Sequence, residues 1–304
     1  MIVRIDEAQA GQRLDHVLAG PLGSRSRAQR LIDAGLVTVD GAVRPKRHVV
    51  AAGELIEVRE PDDAPIADAD AARIDLDIAY EDDALLVVDK PAGLVVHPAA
   101  GHWTGTLAQA LQARGIRAER GGIVHRLDRD TSGLLLAAKD DATLRALQDE
   151  LRERRIEREY LALVAGRPPA RTGTIDAPIG RDRRDRTRHS TDTDQPRDAV
   201  THFEIAEALP HTTLLRVRLE TGRTHQIRVH LEAIGHPVVG DPVYGPRPPL
   251  PAPRLERQFQ HAARLAFEHP VSGRRIEVAS ALPEDLRTAL EAARATTPGR
   301  PGAA

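Results

Sequence analysis

The sequence predicts an α+β protein in two parts, a small N-terminal module and a larger domain built on a mainly antiparallel mixed β-sheet with flanking helices. Three observations carry this. After residue 76, strand-like and helix-like runs alternate irregularly, with connections too short for repeated βαβ crossovers. Before residue 44, two short helical patterns lead into a hairpin. Between the two parts lies a stretch rich in Asp, Ala and Pro with too little apolar material to build a core. At 304 residues, 41% of them hydrophobic, the chain is long enough for two domains.

The elements follow from the punctuation. Residues 12–19 and 25–34 read as helices, with Ser24 as N-cap of the second and Gly35 as its stop. Residues 36–43 read as a hairpin turning at Asp40-Gly41, a dipeptide suited to positive φ. Residues 1–60 form the first domain, 61–75 an acidic flexible linker, 76–294 the second domain, and 295–304 a disordered tail. In the second domain strands are expected at 84–89, 134–139, 160–165, 200–206, 213–219 and 275–279, and helices at 106–114, 141–154, 224–234 and from Pro283 to about 294. Arg216 and Arg218 alternate with Leu215, Val217 and Leu219, as a sheet with one polar face requires. On the helix 224–234, Ile227, Leu231 and Ile234 form the expected buried stripe, and Arg228 lies beside it, able to reach a cleft.

Charge is unevenly placed. The net charge is −2, yet residues 60–83 hold ten acidic residues against the single basic Arg73, so the rest of the chain is net positive. Residues 13–47 carry seven basic residues against three acidic ones. Arg13, Arg25, Arg27 and Arg30 on the two helices and their turn, with Lys46 and Arg47 past the hairpin, are the candidates to hold a polyanion. With no cysteine, disulfides, thiolate catalysis and cysteine-ligated zinc or iron–sulfur sites are excluded. No apolar run approaches the roughly 20 residues that span a bilayer, and residues 1–6 do not read as a targeting segment, so no membrane association and a cytoplasmic location are expected. Three Phe, three Tyr and one Trp are too few for a stacking platform on single strands. A polyanionic strand would be gripped through its phosphates and shape.

The most informative segment is His125-Arg126-Leu127-Asp128-Arg129-Asp130-Thr131-Ser132-Gly133, a carboxylate between two arginines ahead of an apolar strand. An ionised carboxylate held by guanidinium groups can attack or accept a proton. Two more segments accompany it: Asp89-Lys-Pro-Ala-Gly-Leu-Val-Val-His97-Pro98, and Thr221-Gly-Arg-Thr-His-Gln-Ile-Arg-Val-His-Leu231 continuing to Gly240-Asp-Pro-Val-Tyr-Gly245. In this order they resemble the signature segments of the RluA/RluD family of uridine-to-pseudouridine synthases, and the resemblance covers most of residues 76–282. Residues 1–60 resemble the S4 RNA-binding module that many members carry, which brings the RluD-type enzymes of large-subunit rRNA closest.

The resemblance implies residue roles. Asp128 is the catalytic aspartate, with Asp130 its local competitor at a position where the family needs no carboxylate. Arg228 pairs with the aspartate. Tyr160 stacks on the target base and assists proton transfer, although Glu159 stands where many relatives place a cation. Arg126 fills or props the gap left when the uridine is flipped out of its stack. The implied partner is large-subunit rRNA, at the helix 69 loop, free or in an assembling 50S particle. No cofactor and no metal are expected, since isomerisation needs neither redox change nor energy input, and the chain is expected to act as a monomer. The residues do not decide whether the carboxylate captures C1′ or removes the 2′ proton. His225 and His230 are five positions apart, not the four of a helical metal pair, and read as structural or RNA-facing. The charged block 181–188 is either an RNA-contacting loop or a solvated one.

Two rival readings are separable. A non-catalytic S4 protein explains residues 1–60 but not the co-occurrence of Asp128, Tyr160 and Arg228. A metal-dependent phosphohydrolase could use His97, His125, Asp128 and His225 as ligands, and its activity would be lost to a chelator.

Overall fold

The computed structural model describes residues 1–23, 25–33, 35–59, 73–98, 104–246 and 255–296, except the side chains of residues 26, 27 and 30. The chain divides into two compact units, Met1–Ala67 and Asp68–Ala304. Ser24, most of the stretch 61–75 and nearly all of the tail 295–304 lie outside the described residues.

In the first unit, β1 (Ile2–Arg4), β2 (Val37–Val39), β3 (Ala42–Val43) and β4 (Leu55–Val58) form a sheet in the order β1-β4-β2-β3, and α1 (Leu14–Val17) and α2 (Arg25–Asp33) precede the hairpin. The turn adopts the expected geometry, with Asp40 at φ 48° and Gly41 at φ 77°. Leu14, Leu18, Ala28, Ile32, Val37 and Ile56 are the centre of its core. Asp15 of α1 is fully buried and accepts from Arg13 Nε (2.9 Å), Arg25 Nε (3.1 Å) and Gln29 Nε2 (2.6 Å). Burial alone would raise its carboxyl, but the Gln29 and arginine donors outweigh this and hold it at about 2.

The second unit is a nine-stranded sheet. Its strands are β5 (Asp77–Glu81), β6 (Leu85–Lys90), β7 (Ser132–Ala138), β8 (Glu157–Ala165), β9 (Thr172–Asp176), β12 (Val200–Ala208), β13 (Thr212–Leu219), β14 (Gln260–Glu268) and β15 (Arg275–Ala279), while β10 (Gly180–Arg181) and β11 (His189–Ser190) pair separately. The order is β5-β6-β7-β14-β8-β13-β12-β9, with β15 beside β14. Every pairing is antiparallel except β7 with β14. The helices are α3 (Leu107–Ala113), capped by a Thr106–Gln109 capping box, α4 (Asp141–Arg152), capped by Asp140, α5 (Gln226–Ala233) and α6 (Glu284–Ala295). Among the described residues no helix is long and apolar enough to cross a membrane.

The second unit holds strands that the sequence expectation lacks, β5, β9, β10, β11 and β14, and its α5 ends one residue early. β14 is central in the sheet, yet Gln260, His261 and Arg264 interrupt its apolar residues, so it lacks the continuous apolar run that marks the fully buried β7. Ile234 is not in the buried stripe of α5. The helix ends at Ala233, the chain leaves the helical period there, and Ile234 is 38% exposed.

The parallel junction of β7 and β14 positions the site. Gly133 pairs with Ala262, and Ala262 pairs across to Tyr160, so three neighbouring strands meet where the His125–Thr131 segment enters β7. Gly133 has φ 106°, and a Cβ there would stand 2.3 Å from the Ala262 carbonyl oxygen. Only glycine permits this approach.

Candidate active site

The loop bearing Asp128 is held from three directions. Lys90, fully buried at the end of β6, donates from Nζ to the carbonyls of Pro91 (2.7 Å), Leu94 (3.0 Å) and Arg129 (2.9 Å). Burial brings its ammonium down to about 7, against the opposing pull of Asp130 and Asp128. Arg257 Nη1 donates to the Asp130 carbonyl (3.0 Å), while its Nε and Nη2 grip Asp285 of α6 at 2.6 and 3.0 Å. Gln258 Nε2 donates to Thr131 Oγ1 (3.2 Å). The two carbonyls that follow Asp128 are therefore fixed by cations remote in sequence, and Asp130 itself is turned to Arg129 in an ion pair at 3.0 Å.

Asp128, Arg228 and Asp241 form one ionic chain. Arg228, 4% exposed on α5, donates from Nη1 to Asp128 Oδ2 (3.1 Å) and from Nε and Nη2 to Asp241 Oδ2 (2.5 Å) and Oδ1 (2.9 Å). Asp241 also accepts from the amides of Val243 (2.9 Å) and Tyr244 (3.0 Å). Burial opposes charge on all this buried machinery, but the bidentate contact with Arg228 holds the Asp241 carboxyl below its ordinary range, and Asp241 and Asp128 keep the Arg228 guanidinium charged. The Arg228 guanidinium lies over the Tyr244 ring at 5.0 Å. Asp128 Oδ1 has no hydrogen-bond partner among the described residues.

Asp128 stands between two cavities. A cleft of about 500 Å³ is lined by His97, Arg120, Arg126, Arg129, His225 and Gln258 among others. A narrower pocket contains Tyr160, Arg158, Gly222 and Gln260. Arg126 is exposed and borders both. Tyr160, 3% exposed in β8, has its phenol pushed up by burial. Glu159 beside it faces Arg216 and Arg218 of β13, at 2.9 and 3.9 Å. The histidines around the site are lowered chiefly by burial, His97 to about 4 and His125 to about 3. His225 accordingly sits neutral in a left-handed backbone conformation, φ 57°, with its Nδ1 3.1 Å from Tyr244 Oη. His230 is fully buried and bonds Thr201 Oγ1 and the Ala177 carbonyl, a structural role. Among the described residues no group of three or more His, Asp or Glu side chains gathers as a metal cluster, so His97, His125, Asp128 and His225 do not form one.

The cations of the first unit are placed differently from one another. Arg13 and Arg25 are about half-exposed and hold Asp15, Lys46 pairs with Asp33 at 2.8 Å, and Arg47 is exposed. The side chains of Arg27 and Arg30 lie outside the described residues. In the block 181–188, Arg188 stacks over Tyr244 at 4.8 Å and pairs with Glu232 at 3.2 Å, and the His189 amide donates to Tyr244 Oη, so the end of this block is built against the site's own wall.

Sequence reasoning gave no role to Asp241, Tyr244, Lys90, Arg257 or Gln258. The first three lie inside the motif segments, and that was their signal. Arg257 and Gln258 carry none.

The family model described as RNA pseudouridylate synthase matches residues 84–233, and an S4 domain model matches residues 12–56. A Chloroflexus aurantiacus protein described as an uncharacterized RNA pseudouridine synthase is 50% identical over 296 residues, covering 95% of this chain and 92% of that one. The ribosomal large subunit pseudouridine synthase D of Nitrosomonas europaea is 45% identical, covering 94% of this chain and 85% of that one. Among solved structures, human RNA pseudouridylate synthase domain containing 1 superposes with a TM-score of 0.55 at 28% identity, covering 73% of this chain and 96% of that one. A buried arginine bridging two carboxylates at the mouth of a mixed sheet, joined to an S4 domain, is the architecture of an RNA-modifying enzyme. The chain belongs to the RNA pseudouridine synthase family.

Proposed function

We propose that this chain isomerises uridine to pseudouridine in large-subunit rRNA, at the helix 69 loop, as a monomer acting on free rRNA or on an assembling 50S particle, with Asp128 as the catalytic carboxylate. The observation that carries the role of Asp128 is the ionic chain: Arg228 binds one carboxylate oxygen at 3.1 Å, and the other is left without a partner beside a cleft. Asp128 and Tyr160 line one cavity and Asp128 and Arg228 the other, all from one chain, which supports action as a monomer.

The target nucleotide leaves its stack to reach Asp128, and Arg126, exposed at the meeting of the cavities, takes the place it vacates. Asp128 acts at the ribose, by capturing C1′ or by removing the 2′ proton. On either route the C1′–N1 bond breaks and the uracil turns, C5 bonds to C1′ as the Asp128–C1′ ester bond breaks or as the 2′ proton returns to C2′, the C5 proton leaves and N1 takes one up. Arg228 orients the carboxylate and preserves its charge. Tyr160 stacks on the base. Burial lowers His97 to about 4 and His125 to about 3, so neither carries an extra proton to donate near neutral pH.

Tritium release from 5-[³H]uridine transcripts of separate large-subunit rRNA helices tests this. Release is expected from the helix 69 transcript and in the presence of EDTA. Release from another helix alone would move the target, and loss of activity in EDTA would contradict a metal-free mechanism.

A further inference from the structure

Arg158, in β8, is a buried cation with no counter-ion. The residue is 6% exposed, and among the described residues no carboxylate lies within ion-pair distance of it. Its Nε is buried without a hydrogen bond, and its one contact, Nη2 to the Leu219 carbonyl, is long at 3.4 Å. Arg228 and Arg257, buried to a similar degree, each have a carboxylate gripped through two nitrogens. A guanidinium taken out of water without a partner is costly, so a site that keeps one unpaired is built for an anion that arrives from outside.

The surroundings show where that anion would lie. Arg158 and Gly222 line both the Asp128–Tyr160 pocket and a second groove of about 560 Å³ that reaches the C-terminal end of α4. A Cβ at Gly222 would stand 3.2 Å from Arg158 Nη1, so the glycine leaves a window over the guanidinium. The groove is lined by Arg126, Arg152, Arg154, Arg158 and Arg223 against a single carboxylate, Glu220. Arg154 takes Glu220, Arg152 pairs outward with Asp149 at 2.6 Å, and Arg223 Nε donates to the Asp198 carbonyl. Arg126, Arg158 and Arg223 have no carboxylate partner among the described residues. His125, also in the lining, is lowered to about 3 by burial and by Arg158, and adds no competing charge. No Phe, Tyr or Trp side chain lines the groove, and its arginines suit phosphodiester oxygens.

We propose that this groove seats the phosphodiester backbone of the substrate strand next to the flipped nucleotide, with Arg158 donating through the Gly222 window to the phosphate nearest the catalytic pocket. The proposal rests on the reading of the chain as an RNA-acting isomerase and adds the path of the strand. The ligand class is a polyanionic RNA backbone, recognised through phosphate and not through sequence.

The test uses the full chain and a fluorescein-labelled stem-loop RNA carrying the helix 69 loop, with parallel stem-loops in which one loop phosphate at a time is replaced by a neutral methylphosphonate. One such replacement is expected to weaken wild-type binding about tenfold or more and to cost the Arg158→Gln variant nothing further. Removing that ion pair should also flatten the dependence of log K on log salt by about 0.7 to 0.9. The rim variant Arg223→Gln, at an exposed residue, leaves the buried cation in place and should flatten it as well, and it carries the test if Arg158→Gln does not fold. If methylphosphonates weakened Arg158→Gln as much as wild type, or if the rim variant kept the wild-type salt slope, the groove would not be the strand path. Tritium release by the wild-type protein is read separately. If no transcript releases tritium while the phosphate replacements behave as stated, the isomerase reading falls and the groove stands.

Discussion

In the proposed reaction a single carboxylate, Asp128, carries the chemistry, and its neighbours set what that carboxylate can do. Asp241 is the least obvious of them. It holds a guanidinium through two bonds while closing its own Asp-Pro turn, and it stands thirteen positions from Arg228. Replacing it with Asn would leave the buried Arg228 with one carboxylate in place of two. We expect Asp241→Asn to lose about 3 to 5 kcal/mol of stability and most of its single-turnover rate. A denaturation midpoint and rate equal to wild type would remove Asp241 from the ionic chain. Tyr160 divides differently. Burial keeps its phenol above the ordinary value of 10.0, so it stays protonated through the usual assay range. Tyr160→Phe should keep the stacking ring and RNA affinity and lose the proton-transfer part, lowering kcat by about 10²- to 10⁴-fold. An unchanged kcat would reduce Tyr160 to a packing residue. The meeting of Asp128, Tyr160 and Arg228 was legible because each lies in a contiguous motif. Arg257 was not, because a lone arginine ahead of an unexpected strand carries no mark of the Asp130 carbonyl it will hold.

Elements were legible where residues alternate, as in β13, or run continuously apolar, as in β7. β13 alternates Arg216 and Arg218 with Leu215 and Val217, and it was readable for that reason. β14 has polar residues buried by specific bonds, such as His261 with Ser132 at 3.0 Å, and a run of that kind has no period to detect. In the first unit the decisive element is α1, four residues long, which cannot persist by propensity and is pinned by Asp15. The sign of its pH dependence is fixed. The folded carboxyl at about 2 lies below the ordinary 3.8, so its stabilisation is complete above about pH 4 and is lost as pH falls toward 2. Hydrogen-exchange protection of residues 1–59 should therefore drop between pH 4 and 2 in wild type and change much less in Asp15→Asn. Parallel profiles for the two proteins would show that Asp15 does not hold the unit together. Arg13 and Arg25, expected only as RNA contacts, are also the donors that keep Asp15 ionised.

For the molecule as a whole, a net charge of −2 hides two cationic surfaces, one in the first unit and one around Asp128. A chain beginning at Asp75 retains its own core, the sheet and all three site residues. It should fold and turn over saturating RNA, but bind more weakly and with a shallower dependence of log K on log salt, since fewer phosphates neutralised means fewer counterions released. Equal affinity and equal slopes for the two chains would mean that residues 1–60 do not bind this RNA. Normal binding with no turnover would mean that those residues help to form the active site. The central claim, that Asp128 performs the isomerisation, is tested most directly by tritium release from the same rRNA transcript with wild type and Asp128→Asn side by side. The amide preserves shape but can neither attack nor take a proton. Asp128→Asn is expected to bind RNA and melt like wild type and to release no tritium, whereas turnover within about tenfold of wild type would contradict the assignment.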